Sequence, residues 1–143
     1  MQQIQRVFLI AAVIVIIALG TLLPHVESAK KLQTQWELLQ VERFMERVCR
    51  NKECSYEDYV LLHGALNYAG TSSVIEIEEY RTEQDMEGNA YYYGISWDEL
   101  REMLFLGEQY YFSDNSVLVV CVNWNSGIGN QKRKYYDIVS GKD

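Results

Sequence analysis

The side chains that most often act as acids, bases or nucleophiles are few and widely spaced in this chain. The sequence has two histidines, His25 and His63, and only His63 lies well beyond the apolar run near the N-terminus. A Ser-His-Asp or Cys-His site would have to use His63, and no Gly-x-Ser-x-Gly sequence accompanies it. We therefore predict no catalytic residues, expect the protein not to be an enzyme, and interpret His63 as a partly exposed helix residue.

Carboxylates are concentrated between residues 76 and 87. Within this stretch, Asp85, Glu87 and Asn89 alternate with other residues and offer the oxygen ligands that calcium prefers. The stretch lacks the full ligand pattern of a calcium-binding loop, which favours a solvated strand face followed by an acidic loop. We predict no metal site and no cofactor.

Cysteine chemistry depends on the pair Cys49 and Cys54, which encloses residues 50–53 between two predicted helices. This loop is short enough to be closed by a disulfide in an oxidising compartment, and two unpaired thiols are the alternative. The pair offers too few ligands for structural zinc, because no further Cys or His accompanies it. Cys121 lies in an apolar run and is interpreted as a small buried side chain.

An amphipathic helix is predicted over residues 29–48, and its apolar stripe changes face partway. One stripe contains Leu32, Trp36 and Leu39. The other, on nearly the opposite face, contains Leu38, Val41, Met45 and Val48. We predict that the second stripe packs on the domain that follows, leaving the first for lipid headgroups or for a neighbouring subunit. The alternative is that one core buries both stripes.

The rest of the chain predicts two short helices and an antiparallel sheet of about four to five strands. The first helix begins at Ser55, with Asp58 three residues on, and ends at Gly70; the second begins at Ser96 and ends at Gly107. The predicted strands are residues 73–80, 91–93, 109–112, 117–124 and 134–139. The last three are predicted to form a meander, with turns at residues 114–115 and around Ser126 and Gly127. The run 117–122 is apolar on both faces and should be central.

A membrane anchor is predicted from residues 7–23, which contain no charge and only one polar side chain, Thr21, before Pro24. As a helix this run would measure roughly 25 Å, which is at the short end of what a bilayer core requires. We predict an α+β protein with a single-pass anchor over residues 1–28 and an extracytoplasmic domain over residues 29–143. A cleaved secretory signal, with small residues at 28–29 near the cut, is the alternative, and it exports the domain as well.

The charge distribution disfavours a nucleic-acid partner. The formal net charge is −7, and it lies wholly after Glu27, because Arg6 and Glu27 cancel. Phosphate binding needs clustered basic residues, whereas this domain is acidic. Positive charges lie on both sides of the apolar run, at Arg6 and at Lys30 and Lys31, so they do not set its orientation.

The order of these parts resembles the type IV pilin-like proteins, especially the minor pseudopilins of Tad-type pilus or secretion loci in Gram-positive bacteria. The resemblance lies in the apolar and then amphipathic residues 7–48, and in the helix-then-strand order between residues 55–59 and 75–78. The chain differs near the start of the apolar run, where Gln5 stands in place of the family's Glu.

This resemblance implies a structural component of a pilus or secretion assembly. Its partners would be membrane lipid and other pilin-like subunits or secretion-apparatus proteins, with the apolar helix packing against other helices. We expect the Leu32, Trp36 and Leu39 stripe to contribute to this packing. The alternative is a bitopic binding or adaptor domain outside the cytoplasm that has no filament role.

Overall fold

The computed structural model describes residues 2–67, 73–126 and 129–140. The chain divides into two compact units, Met1–Trp36 and Glu37–Asp143. Helix α1, Gln2–Asn51, contributes to both units and contains Pro24. The predicted long helix is therefore confirmed. Proline removes one backbone hydrogen bond, and here the helix continues on both sides of it rather than ending there.

In the unit Met1–Trp36, the apolar side chains between Val7 and Val26 are exposed. The chain has one helix that is long and apolar enough to cross a membrane, judged by length and composition. None of its most apolar window is buried inside the protein. The prediction is confirmed to this extent: the helix is compatible with a single membrane span.

The unit Glu37–Asp143 combines the end of α1 with short helices and antiparallel strands. In chain order its elements after α1 are β1 (Glu53–Cys54), α2 (Tyr56–Asn67), β2 (Ser73–Gln84), β3 (Ala90–Ile95), α3 (Trp97–Phe105), β4 (Tyr110–Tyr111), β5 (Val117–Ser126) and β6 (Gly129–Ile138). Strands β3, β2, β5 and β6 form a sheet in that order, and β1 pairs with β4 in a separate two-stranded sheet. The α+β class and the two short helices are confirmed.

The predicted meander is wrong in its first strand. Strand β4 pairs with β1, placing Tyr110 opposite Cys54, instead of pairing with β5. The reason is that both edges of β5 are already occupied, by β2 from Val117 to Trp124 and by β6 from Val117 to Ser126. The predicted central position of β5 is confirmed.

The helix boundaries follow the predicted caps in part. Ser55 precedes α2 and exchanges hydrogen bonds with Asp58, its hydroxyl accepting the Asp58 amide at 3.2 Å while Asp58 accepts the Ser55 amide at 3.0 Å. Ser96 precedes α3 but makes no side-chain cap hydrogen bond. Gly107, at φ +80°, follows the end of α3 as predicted. The predicted helix end at Gly70 and the turn at Gly127 lie outside the described residues.

The core lies between the helices and one face of the four-stranded sheet. That face supplies Ile75, Ile77, Leu118, Val120 and Val122, and the helices supply Val41, Phe44, Met45, Val48, Leu62, Leu66, Leu100 and Leu104. The predicted inward stripe of α1 is confirmed except at Leu38, which is 40% exposed. The buried stripe instead begins at Glu37, which lies about one helical turn before Val41. Leu38 is rotated by about 100° around the helix from Glu37.

Candidate functional site

A buried carboxylate joins α1 to the sheet. Glu37 is 1% exposed. Its Oε2 accepts a hydrogen bond from Arg133 at 2.9 Å, and its Oε1 accepts one from the hydroxyl of Tyr135 at 2.7 Å. Burial raises the pKa of Tyr135 to about 12, helped by the hydrogen bond to Glu37 and by its charge. Two donors therefore hold this carboxylate in place, one on each oxygen.

A second buried carboxylate joins β2 to β4 and to the loop that follows it. Glu79 is fully buried. Its Oε2 accepts hydrogen bonds from Arg81 at 3.0 Å and from the Tyr110 hydroxyl, while its Oε1 accepts the Ser113 amide at 2.7 Å. Burial alone would raise the pKa of Glu79, but hydrogen bonds from Arg81, Ser116, Tyr110 and Ser113 outweigh it, so that the pKa is lowered.

The two networks are built from the same types of side chain. In each, a carboxylate is paired with an arginine and a tyrosine, and both of its oxygens accept hydrogen bonds from the protein. Burial and hydrogen bonding to Glu79 raise the pKa of Tyr110, as burial and Glu37 do for Tyr135. The tyrosines therefore stay protonated, and their hydroxyls donate to the two carboxylates. This arrangement fastens elements together.

The three cysteines are buried free thiols. Burial raises the pKa of Cys49 to about 11, with further contributions from the nearby Asp137. Burial raises the pKa of Cys54 to about 12. Cys49 and Cys54 are not bonded to each other in this structure, and a disulfide between them in an oxidising compartment stays a prediction. The predicted burial of Cys121 is confirmed.

One group among the described residues could hold a metal ion: Glu76, Glu78 and Cys121, whose ligand atoms lie within 4.8 Å of one another. Glu76 and Glu78 are on the same face of β2 and Cys121 is opposite Glu76 on β5. The alternation in the sequence predicts that the two glutamates share one face of their strand. The proximity of Cys121 depends on the register between β2 and β5. The Lys132 ammonium lies 3.0 Å from Glu76 and already supplies a cation.

The acidic stretch predicted as a loop forms the end of the β2–β3 hairpin. Asp85, a candidate calcium ligand from the sequence, uses its Oδ1 to accept the amides of Glu87 at 2.9 Å and Asn89 at 2.8 Å. Its Oδ2 accepts the side-chain amide of Asn89 at 3.1 Å. The Asp85 carboxylate therefore shapes the turn. Between Asp85 and Glu87, the Met86 side chain is fully exposed.

A groove opens between α1 and α2, with a volume of about 190 Å³. Its lining residues are Gln40, Arg43, Phe44, Arg47, Leu61, Leu62 and Ala65. Phe44 and Leu62 are buried, whereas Leu61 is 61% exposed. The sequence alone did not identify this groove, because its residues come from two helices whose contact depends on the fold.

The residues predicted for assembly are exposed on α1. Leu32 and Trp36 lie in the unit Met1–Trp36 and Leu39 in the unit Glu37–Asp143, and each keeps more than a third of its surface exposed. Their role in assembly stays a prediction. His63, interpreted as a helix residue, is exposed on α2, where its ring centroid lies 5.9 Å from that of Tyr59.

Comparison of the chain with protein-family models, with curated proteins and with solved structures gave no match.

Proposed function

We propose that this protein is a single-pass, membrane-anchored, pilin-like structural subunit of a pilus or secretion assembly, with its unit Glu37–Asp143 outside the cytoplasm. The observation that carries the proposal is helix α1, Gln2–Asn51. Its first part exposes its apolar side chains between Val7 and Val26, and its last part supplies core residues to a small α+β unit. One helix thus serves both as anchor and as part of the folded unit.

The exposed apolar part of α1 supports the membrane anchor. Moving one such side chain out of water is favourable by about 1.5 to 3 kcal/mol, and the run from Val7 to Val26 contains many of them. Large uncovered apolar surfaces mark sites of contact with lipid or with other proteins. In an assembling subunit both environments are used, lipid before assembly and neighbouring helices afterwards.

The end of α1 supports a structural role for the helix within its own unit. Val41, Phe44, Met45 and Val48 belong to the hydrophobic core, and the Glu37 carboxylate holds Arg133 and Tyr135 of β6. A force applied to α1 would therefore act directly on the sheet. Such a connection suits a subunit whose helix is held in a larger assembly.

Fractionation of cells that produce the full chain tests the anchor. We expect the protein to stay with the membranes after washing at alkaline pH and to be released only by detergent. Protease added outside the cell should digest the unit Glu37–Asp143. A protein that the alkaline wash releases, or one that protease cannot reach, would contradict the proposal.

Cysteine crosslinking in membranes tests assembly. Leu32→Cys places a thiol on the exposed stripe, and Thr34→Cys, which is about 200° further round the helix, is the matched control. The unsubstituted chain gives the background, because its own three cysteines are buried. We expect crosslinked dimers with Leu32→Cys at several times the level seen with Thr34→Cys. Equal, background-level crosslinking at both positions would exclude packing through this stripe.

A membrane-bound adaptor is the second candidate function, and exposed tyrosines on β3 favour it. Tyr91, Tyr92 and Tyr93 are all exposed, and tyrosine is enriched at protein interfaces. An adaptor of this kind would stay at the membrane as a monomer. Membrane retention without crosslinking at Leu32→Cys is therefore the result that favours it.

A further inference from the structure

The end of the β2–β3 hairpin is a turn held by several internal hydrogen bonds. Asp85 accepts hydrogen bonds from the amides of Glu87 and Asn89, and its own amide donates to the Asn89 carbonyl at 3.0 Å. Gly88 has φ +84°, a conformation that glycine adopts at little cost. Because the turn is already ordered, a partner that binds it does not have to pay the entropy of ordering a loop.

This turn, which we call the hairpin tip and define as residues 85–89, carries an apolar side chain among acidic ones. Met86 is fully exposed, and Glu83, Asp85 and Glu87 surround it in the sequence. Methionine is flexible and polarisable, and it is common at binding surfaces. The Met86 side chain is therefore accessible to a partner and is bordered in the sequence by carboxylates.

The groove between α1 and α2 has complementary properties. Its apolar floor is formed by the buried Phe44 and Leu62, with the exposed Leu61 beside them. Its volume of about 190 Å³ lies below the roughly 300 to 1,000 Å³ of small-molecule sites. A space of this size suits a single protruding side chain. The groove is therefore better matched to a protein projection than to a metabolite.

Two arginines give the groove the charge opposite to that of the hairpin tip. Arg47 lies 2.9 Å from Asp58 at the start of α2, so that its charge is shared within the chain. Arg43 is exposed and has no ion pair among the residues that the structure describes. The groove thus has the Arg43 guanidinium available for an ion pair beside an apolar floor. The hairpin tip has carboxylates beside one apolar side chain.

We propose that the hairpin tip of one copy of this chain docks in the α1–α2 groove of a second copy, with Met86 on the apolar floor and Glu87 beside Arg43. This inference rests on the proposed function and names the partner of the assembly as an identical subunit. Because groove and tip are different surfaces, the contact is heterologous, and repeating it joins copies into an open array or a ring. The contact is small. Anchoring both copies in one membrane raises their effective concentration and so favours binding through a small contact.

Crosslinking between two differently tagged copies of the full chain tests the docking. One copy carries Met86→Cys and the other carries Leu61→Cys, both are produced in the same membrane, and a short bis-maleimide joins the thiols. The matched control replaces Met86→Cys with Glu108→Cys, which puts a thiol at an exposed acidic position outside the hairpin tip. We expect joined heterodimers for the 86 and 61 pair and only background for the 108 and 61 pair.

A charge exchange tests the ionic part of the contact. Arg43→Glu in the groove copy should lower the 86–61 crosslinking about tenfold, because it opposes Glu87 with a like charge. Glu87→Arg in the tip copy should restore it when combined with Arg43→Glu. Equal circular dichroism spectra of the variants show that the fold is retained. Crosslinking that is unaffected by both substitutions would contradict the pairing of Glu87 with Arg43.

The outcomes separate this inference from the proposed function. Crosslinking through Leu32→Cys without any for the 86–61 pair would leave assembly standing and overturn the docking. Absence of crosslinking through Leu32→Cys and for the 86–61 pair would overturn the assembly and the docking. A third outcome is that the full chain in nanodiscs binds vesicles of anionic phospholipid, that Arg43→Glu abolishes this binding, and that crosslinking of the 86–61 pair stays at background. This outcome would assign the groove to lipid headgroups and overturn the choice of a second copy.

Discussion

The hydroxyl of Tyr135 on β6 donates a hydrogen bond of 2.7 Å to the carboxylate of Glu37 on α1, although 98 positions separate the two residues in the sequence. Strand β6 is at an edge of the four-stranded sheet. Arg133, two residues earlier on the same face of β6, donates to the other oxygen of Glu37. The edge strand is thereby held to the long helix by two bonds to one buried carboxylate.

Replacing Arg133 with methionine should weaken this connection strongly. Arg133→Met keeps much of the side-chain volume but leaves the charge of Glu37 buried without its cation, which costs about 3 to 5 kcal/mol. We expect the free energy of unfolding to fall by that amount when the full chain in detergent is unfolded with urea and followed by tryptophan fluorescence.

The neighbouring Lys132→Met is the matched control. Lys132 also pairs with a glutamate, Glu76, at 3.0 Å, but this pair lies on the exposed face, with the lysine side chain 48% exposed. Exposed pairs contribute about 0 to 1 kcal/mol. Equal effects of the two substitutions would show that burial of Glu37 does not matter to its interaction with Arg133.

Much of the fold could be predicted from the sequence, because its signals are local. The long apolar run, the Ser55 and Asp58 cap and the alternation around Ile75 and Ile77 each depend on residues within one element, and all three predictions are confirmed. The two-residue strand β4 has no periodicity to detect, and its pairing with β1 depends on which edges the other strands leave open.

The buried carboxylates could not be predicted in the same way. Glutamate on a helix or strand is usually exposed, so Glu37 and Glu79 resemble ordinary solvent-facing residues in the sequence. Their burial depends on partners far along the chain, Tyr135 for Glu37 and Tyr110 for Glu79. Similarly, the exposure of Leu38 follows from where the buried stripe of α1 begins, which only the packed helix determines.

Stability should depend on pH through Glu79 in the acid range. The pKa of Glu79 is lowered in the folded protein from its ordinary value of 4.5, so the carboxylate stabilises the fold above that value. The contribution should be lost as the pH falls from about 4.5 through the lower pKa of the folded state. We expect Glu79→Gln to be less stable than the unsubstituted chain at pH 7 by about 3 kcal/mol.

Urea unfolding at a series of pH values checks this expectation. The difference between the two proteins should shrink steadily below pH 4.5, because a protonated Glu79 and a glutamine carry the same charge. Glu87→Gln changes an exposed carboxylate and should track the unsubstituted chain across the series. A difference that does not vary with pH would mean that ionisation of Glu79 does not stabilise the fold.

The buried thiols should react slowly until the fold opens. Burial raises the pKa of Cys49 to about 11, so the reactive thiolate is about a hundredfold rarer at neutral pH than for an ordinary cysteine. The pKa of Cys54 is raised further, to about 12. We expect maleimide to label the folded full chain at pH 7 only over hours, and all three cysteines promptly in denaturant.

The same labelling distinguishes the two alternatives for the cysteine pair. Labelling of Cys121 alone in denaturant without reductant, and of all three with reductant, would show that Cys49 and Cys54 form a disulfide in the protein isolated from cells. Fast labelling of the folded chain would instead contradict the burial of the thiols. Mass spectrometry of the labelled peptides assigns each modified residue.

Charged substitutions in the apolar part of α1 should release the protein from the membrane. An arginine near the centre of a membrane-spanning helix costs about 2.5 to 3.5 kcal/mol on insertion, so Val13→Arg with Ile17→Arg should cost about 5 to 7 kcal/mol. The corresponding double leucine substitution keeps the hydrophobicity and should stay in the membrane fraction. Both positions are exposed and belong to the unit Met1–Trp36, so we expect the unit Glu37–Asp143 to keep its fold in either variant. If the arginine variant remained in membranes after an alkaline wash, the apolar part of α1 could not be the anchor.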